Sequence, residues 1–545
     1  MSKKILYGKH AQNSLAQGVN IVASAVRGTI GPRGSNVVFD KGYGAPMITN
    51  DGVSIAKEIT LADKFENMGA EIVKEVAART NDTAGDGTTT SIIITDAIVQ
   101  AGMKYLSKGS NGLQLRRGIE AATSDAVTVL SEIARSVEDD SEIKHIATIS
   151  AESEELGSLI AETMQDIGKD GVVTVEESQM VGVTSDITPG MKFETGYISH
   201  YFVTNKERME AVYENVSILV TDKKISAIKD VLPLLEKLAA SGKKELVIIA
   251  EDIDGEALGT FVLNKMRGIF SVLAIKAPGF GERKRGELED IAMSVGATIV
   301  TDALRVALET GDMSVLGFAS KVVSTKDSTV LIDGRVKNID LEQHITSIKT
   351  QISLVGGSKL DAFTKVYLQK RIARLSNGVA VIKVGAPTES EMKYLKLKIE
   401  DAVHATKAAI EEGIVPGGGV TLAKIATKLS IPTEKTDYAR GYKSLVDSLC
   451  APLTQIIVNT GSNNAKNIVA MVQDAEDSYG YDATADFSKS IELVDMIKVG
   501  IIDPVKVTRT ALQNAASAAG ILLTTDVAIA DDEETVKLTQ QNPEQ

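Results

Sequence analysis

The residues best suited to chemistry lie in Ala84-Gly85-Asp86-Gly87-Thr88-Thr89-Thr90. Glycines let backbone N–H groups approach an anion closely. Three threonines opening an apolar helix, predicted over Ser91–Met103, add hydroxyls where the helix dipole favours phosphate. Asp86 would repel a bare phosphate. It suits the place if it holds Mg2+, a hard cation that takes carboxylate and phosphate oxygens together. The same string also reads as an Asp/Thr cap after a glycine turn. Three further pieces have the texture of a phosphate site. Thr29-Ile30-Gly31-Pro32-Arg33-Gly34 is a second glycine loop. Gly417-Gly418-Gly419 interrupts a helix-rich stretch, with Asp401 upstream. Asn50-Asp51-Gly52 is a turn that brings another carboxylate. Each has a plain alternative as a turn or a helix stop.

Other chemistries lack their residues. No Gly-x-x-x-x-Gly-Lys-Ser/Thr run occurs, which excludes a standard P-loop. The histidines (His10, His145, His200, His344, His404) are scattered, with no His-Glu-x-x-His or Cys/His set, so zinc is not expected. The single cysteine, Cys450, reads as a packed small hydrophobe; it excludes an internal disulfide and fits a reducing cytoplasm. Lys and Arg number 59 against 73 Asp and Glu, and the net charge of −14 argues against nucleic acid. Aromatics at 4% without tryptophan leave no stacking platform. No apolar run reaches the ~18 residues of a membrane span. The N-terminus, Met-Ser-Lys-Lys-Ile-Leu-Tyr-Gly-Lys-His, lacks the apolar core of a signal peptide.

These pieces need elements to hold them. A length of 545 residues allows roughly three to four domains. The first ~170 residues read mainly as helices, with Leu15, Gly18, Val19, Val22 and Val26 as one stripe. Val37–Asp40 and Met47–Thr49 read as short strands. In the middle third, apolar runs at Ser217–Thr221, Leu246–Ala250, Ser271–Ile275 and Thr298–Val300 alternate with helical stretches, which predicts a parallel sheet with covering helices. Lys321–Ile332 reads as a hairpin. The strand-like pieces Gly171–Val175 and Val379–Gly385 bracket this block, and helical texture returns from Glu389 to about Thr525. The simplest topology is a nested insertion, with Gly190 and Gly378 as hinges at the crossings.

Several long strings, in order from about residue 2 to 530, resemble those of group I chaperonins, the GroEL type. They are Thr-Ile-Gly-Pro-Arg-Gly-Ser-Asn-Val (29–37), Asn-Asp-Gly-Val-Ser-Ile-Ala (50–56), Ala-Gly-Asp-Gly-Thr-Thr-Thr (84–90), Ile-Lys-Ala-Pro-Gly-Phe-Gly (275–281), Glu-Asp-Ala-Val-His-Ala-Thr (400–406) and Glu-Glu-Gly-Ile-Val-Pro-Gly-Gly-Gly (411–419). The resemblance implies an α+β multidomain chaperonin fold: a helical equatorial domain (1–133 and 412–530), a small α/β intermediate domain (134–189 and 379–411), an α/β apical domain with parallel strands (190–378) and a disordered tail (531–545). It implies an ATP-dependent folding chamber in the cytoplasm, built as a homo-oligomer of heptameric rings that take non-native polypeptides as clients and a GroES-type lid as partner, with no nucleic acid and no membrane. ATP, Mg2+ and K+ are the implied cofactors. Asp86 matches the magnesium ligand, Asp401 the carboxylate that positions water, and Asp51 a third acidic residue near the γ-phosphate. Thr29, Ile30, Gly31, Pro32, Asn50, Gly87, Thr88, Thr89, Thr90, Ile149, Ser150, Gly418, Asp482, Ala483, Thr484 and Asp503 match the rest of the nucleotide pocket. Thr29, Asn50 and Thr89 match the potassium site. Tyr197, Tyr201, Phe202, Leu232, Leu235, Leu258, Val262 and Leu263 match the apolar client rim; read without the family, such stripes are core faces.

The resemblance has departures. Lys108 stands where double-ring members carry a small alanine at the ring–ring contact, and Thr454 and Asn463 replace an Arg–Glu pair there. Thr195 replaces an apical arginine whose partner remains as Glu389. A second ion pair is expected between Glu154 and Lys398. The Thr484–Ile501 stretch is about five residues longer than usual, a surface-loop insertion. These changes fit a divergent or phage-encoded member, single-ringed or switched by nucleotide. A metabolic ATP-dependent enzyme is the rival reading, but it lacks an acid–base set in the sheet domain.

Overall fold

The computed structural model describes residues 3–40, 46–168, 171–206, 208–301, 308, 312–334, 338–354, 359–376, 378–485 and 491–531. The expected disordered tail lies, beyond Asp531, outside the described residues, as does part of the longer loop before Ile501. Contacts divide the chain into two compact units. One holds residues 1–162, 177–183 and 384–545, and the other holds 163–176 and 184–383.

The first unit is helical. Helices Gly8–Val26, Lys64–Ala84, Thr88–Leu106, Gly112–Ile133, Asp437–Ser448 and Val505–Thr524 share one apolar core. The stripe on Gly8–Val26 is buried as its spacing predicts, from Leu15 through Val26. Small residues let the helices close. A Cβ on Gly118 would stand 2.0 Å from the Tyr438 carbonyl oxygen, and one on Gly441 would stand 2.0 Å from that of Leu115. Each glycine therefore admits the other helix's backbone, and an alanine at either would force the pair apart. Val37–Phe39 and Met47–Thr49 pair antiparallel, as expected. Two short ladders cross long sequence gaps: Lys3–Tyr7 with Val527–Asp531, and Ile414–Pro416 with Ile502–Pro504.

The second unit is built on a six-stranded sheet in the order Ser271–Lys276, Glu245–Ala250, Ala211–Val220, Gly317–Ser324, Thr329–Gly334, Gly190–Phe193. The first three strands are parallel and the rest antiparallel, so the expected parallel sheet is half of a mixed one. The hairpin predicted over 321–332 is present within it. Thr298–Val300 is not a strand of this sheet. It makes one isolated bridge, Thr221 to Val300, where the Thr221 hydroxyl also donates to the Val300 carbonyl at 2.6 Å. Val172–Glu177, Val379–Gly385 and Gly182–Thr188 form a three-stranded sheet with Val379–Gly385 in the middle.

Two helices that periodicity did not single out, Asn338–Leu354 and Lys359–Ser376, pack beside helix Glu282–Val295. A buried ion network fixes them. Asp290 is fully buried and takes Arg371 through two 2.7 Å bonds and His344 through another. Arg374 grips Glu287 in the same two-pronged way. Paired so, the carboxylates offset much of the cost of leaving water, and loss of either partner would strand a buried charge.

Candidate functional site

The chemistry-bearing strings converge in the first unit. Gly85 (φ 71°) ends helix Lys64–Ala84, and Gly87 (φ 81°) opens helix Thr88–Leu106. Both conformations are left-handed and suit glycine. Between them, Asp86 accepts from the Gly87 N–H at 2.5 Å and the Ser150 hydroxyl at 3.3 Å. Asp51 caps helix Gly52–Glu58, accepting from the N–H groups of Val53 (3.2 Å) and Ser54 (2.9 Å), and the Thr88 hydroxyl reaches it at 3.4 Å. A Cβ on Gly52 would stand 2.4 Å from the Thr89 hydroxyl, so this glycine lets the Asp51 turn press against the threonines. Asp401 arrives on helix Glu389–Glu412. Asp503 pairs with Val415 just before the triple glycine and accepts from the Gly418 and Gly419 N–H groups.

Charge defines the place. Burial pushes the Asp86 carboxyl up. Asp401 is held well above the usual carboxylate range, by burial first and then by Asp51 and Asp86. Asp503 is pushed up to about 7, by burial and then by Asp86. Lys398 opposes the shift at Asp86 and Asp401. Carboxylates crowded like this lack enough positive charge of their own.

The second glycine loop is anchored nearby. The Thr29 hydroxyl is spent on the Val26 carbonyl (2.9 Å), while Gly31 takes φ 84° ahead of the exposed Pro32. Asn459, which sequence reasoning missed, donates to the Arg27 and Ile30 carbonyls, both at 2.9 Å. Ala483 is buried in the apolar cluster that Ile30 edges. Asp482 accepts from the N–H and hydroxyl of Thr484, and Arg33 reaches the Thr484 carbonyl at 3.5 Å. Thr90 follows in the first turn of its helix, and Ile149 stands exposed beside Ser150.

The donor set fits the implied ions. Among the described residues, no three carboxylate, imidazole or thiolate groups form a metal cage by themselves. The Asp86 carboxylate is the kind of hard oxygen donor that Mg2+ takes together with waters and phosphate oxygens. The Asn50 side-chain oxygen is buried without a hydrogen-bond partner, as an atom awaiting a cation would be.

The TCP-1/cpn60 chaperonin family model matches residues 22–533. The chain belongs to the TCP-1/cpn60 chaperonin family. A solved structure, that of the chaperonin gp146 from the bacteriophage EL 2 (Pseudomonas aeruginosa) in the presence of ATP-BeFx, is similar to this chaperonin with a TM-score of 0.67 and 24% identity, over 97% of this chain and 99% of that one.

In this chaperonin's second unit, the matched rim residues divide. Tyr201, Leu232 and Leu263 are exposed, and Leu235, Leu258 and Val262 are half-buried against the core. Phe202 is fully buried and Tyr197 nearly so. Tyr197 is drawn in by its bridge to Ile275. Phe202 is held by Lys265, whose ammonium bonds the Phe202 carbonyl and lies 5.9 Å from the Phe202 ring centre and 5.4 Å from that of Tyr213. These two residues back the surface rather than form it.

The departures are also in view. Lys398 does not pair with Glu154. It takes Glu152 at 2.7 Å, and Glu154 takes Lys144 at 3.0 Å. Thr195 donates to the Lys276 carbonyl, and Glu389 pairs with Lys393 one turn on. Lys108 and Asn463 are exposed; the Thr454 hydroxyl turns back to the Cys450 carbonyl. Among the described residues, no helix is long and apolar enough to cross a membrane.

Proposed function

We propose that this chaperonin binds and hydrolyses ATP at the Asp51–Asp86–Asp401–Asp503 site and uses the cycle to capture and enclose non-native polypeptides. The observation that carries the reading is the gathering of these carboxylates within a member of the family: Asp51 and Asp86 at glycine-flanked helix starts, Asp401 on helix Glu389–Glu412 and Asp503 beside the triple glycine. The ATP-BeFx of gp146 supports it.

The N–H groups at Gly31 and Thr88 would donate to phosphate oxygens, and the triple glycine would let the nucleotide lie close to the backbone. Asp86 would hold Mg2+, with K+ near Asn50, Thr89 and the Thr29 carbonyl. Bound there, the cations neutralise phosphate charge. Asp401 would accept a hydrogen bond from the attacking water and orient it, with Asp51 ordering its neighbours. Positioning and charge neutralisation are what phosphoryl transfer needs from protein. Asn50, Ile149, Ser150, Asp482, Ala483 and Thr484 would line the pocket. Tyr201, Leu232 and Leu263, with Leu235, Leu258 and Val262 behind them, would take apolar segments of clients.

Gly190 and Gly378 would serve as hinges. A Cβ on Gly190 would meet the Leu331 carbonyl oxygen at 2.6 Å, and Gly378 holds φ 65°. We place the protein in the cytoplasm, as a divergent member of phage type, assembled in heptameric rings and open to a lid partner. Exposed Lys108, with Thr454 and Asn463, favours one ring or rings that part with nucleotide, since facing lysines repel.

The test is ATP turnover with and without unfolded protein. Stimulation by unfolded chains, and not by metabolites, is expected; stimulation by a metabolite alone would favour the metabolic enzyme. Light scattering should give roughly 405 kDa for one ring, as 7 × 57.9 kDa, against roughly 811 kDa for two. A stable monomer would sink the chamber.

A further inference from the structure

Helix Asp140–Ala151 ends on Glu152, whose φ of 54° and ψ of 24° are left-handed. Glycine is the usual occupant of such a cap, and another residue there costs roughly 1 kcal/mol. The Glu152 side chain has a use that glycine lacks. Its carboxylate accepts from Lys398 Nζ at 2.7 Å and Asn50 Nδ2 at 2.9 Å, and it hydrogen-bonds Tyr394. Its backbone lies two residues beyond Ser150, which bonds Asp86. Asn50 directly precedes Asp51, and Lys398 lies one helical turn before Asp401. One carboxylate thus ties together three chain segments, each holding or touching a different aspartate of the site.

Lys398 is the group this arrangement restrains. Its side chain is only 12% exposed, and its charge already acts on Asp86 and Asp401. After Glu152, the carboxylate that acts on Lys398 is Asp401. Without Glu152, the ammonium would turn to it and occupy the carboxylate that must hold water.

Resting on the ATPase reading above, we propose that Glu152 is a positioning residue for hydrolysis: it holds Lys398 off Asp401 and fastens the Asp401 helix to the Asn50–Asp51 turn. Glu152 takes the place expected of Glu154. Binding of nucleotide phosphate uses chiefly the glycine loops, so it should depend on this tie far less than turnover does.

Glu152→Gly separates the roles, because glycine suits the cap conformation. The expected result is a kcat for ATP lowered ~10–100-fold, as for small misplacements of reacting groups, with KM within about threefold and an unfolding temperature near that of wild type, the relieved cap offsetting the lost bonds. Glu152→Gln, which keeps an oxygen acceptor, should recover most of the rate. Lys398→Met relieves the cluster of its intruder, so the double variant should be faster than Glu152→Gly alone, a coupling that independent sites would not show. A Glu152→Gly kcat within twofold of wild type overturns the proposal, as does a double variant whose losses simply add. Wild type and Asp401→Ala are assayed beside these. A wild type without turnover overturns the ATPase reading and this one together; turnover in wild type with an indifferent Glu152→Gly overturns this one alone.

Discussion

Replacing Asp401 with alanine should uncouple turnover, binding and stability in opposite directions. Asp401 is held above the ordinary carboxylate range by burial, with Asp51 and Asp86 adding to the shift. As the group that orients water, its loss should lower kcat by about 10²–10⁴-fold, the usual worth of a positioned acid–base group, or roughly 3–5 kcal/mol of barrier. Binding should follow the charge: one fewer carboxylate faces the triphosphate, so nucleotide affinity should hold or rise. The stability effect has a definite sign. A carboxyl with a raised pKa in the folded chain binds more protons there than when unfolded, between the unfolded value near 3.9 and the higher folded one. Stability is therefore lost as pH rises through that window. Asp401→Ala removes this loss, so the nucleotide-free variant should melt higher than wild type at pH 8, with the difference shrinking toward pH 4. Single-turnover hydrolysis, nucleotide titration and thermal unfolding of the full chain give the three readings. A variant with kcat within tenfold of wild type, or one that loses nucleotide binding together with turnover, would refute the assignment. A variant that melts lower at pH 8 would refute the electrostatic reasoning.

Arg371→Met should strand the fully buried Asp290 with His344 alone, costing about 3–5 kcal/mol; urea unfolding that shows less than about 1 kcal/mol would mean the network is not what holds the two outer helices. Lys265 has its pKa pushed down to about 8 by burial, against the pull of Glu245. The unfolded chain then binds more protons between about 8 and 10.4, so stability should rise with pH across that window by roughly 1–2 kcal/mol once half-exposure is discounted. Lys265→Met should lack that rise, and an identical pH profile in both would count against it. Leu263→Ser, at a residue 53% exposed, should weaken capture of a labelled unfolded protein up to about tenfold, from roughly 1.5 kcal/mol of lost apolar burial, and leave basal ATP turnover intact. Equal loss of both would show damage to the fold instead.

The gain for local reading is clearest where one short string makes one turn. Gly85-Asp86-Gly87 had to place a carboxylate between two left-handed glycines, because no other residue enters and leaves such a corner at so little cost. The helical stripe from Leu15 to Val26 and the hairpin of 321–332 follow in the same way from periodicities of 3.6 and 2. Thr298–Val300 shows the limit: its apolar run is as strand-like as its neighbours, but pairing depends on what lies alongside.

What the sequence determined by itself was the set of parts: glycine turns, the aspartates beside them, a helical frame with an inserted sheet, and family strings in order. Tertiary structure alone decided which parts meet and which charges answer each other. The family resemblance paired Lys398 with Glu154. The lysine met Glu152 because the end of one helix, a turn near residue 50 and a helix some 250 residues later close on the same point. Phe202 and Tyr197 have the same apolar character as Tyr201, yet they lie inside while Tyr201 lies outside. Burial and pairing are properties of three-dimensional neighbours, and a one-dimensional pattern carries the face of an element without naming what covers it.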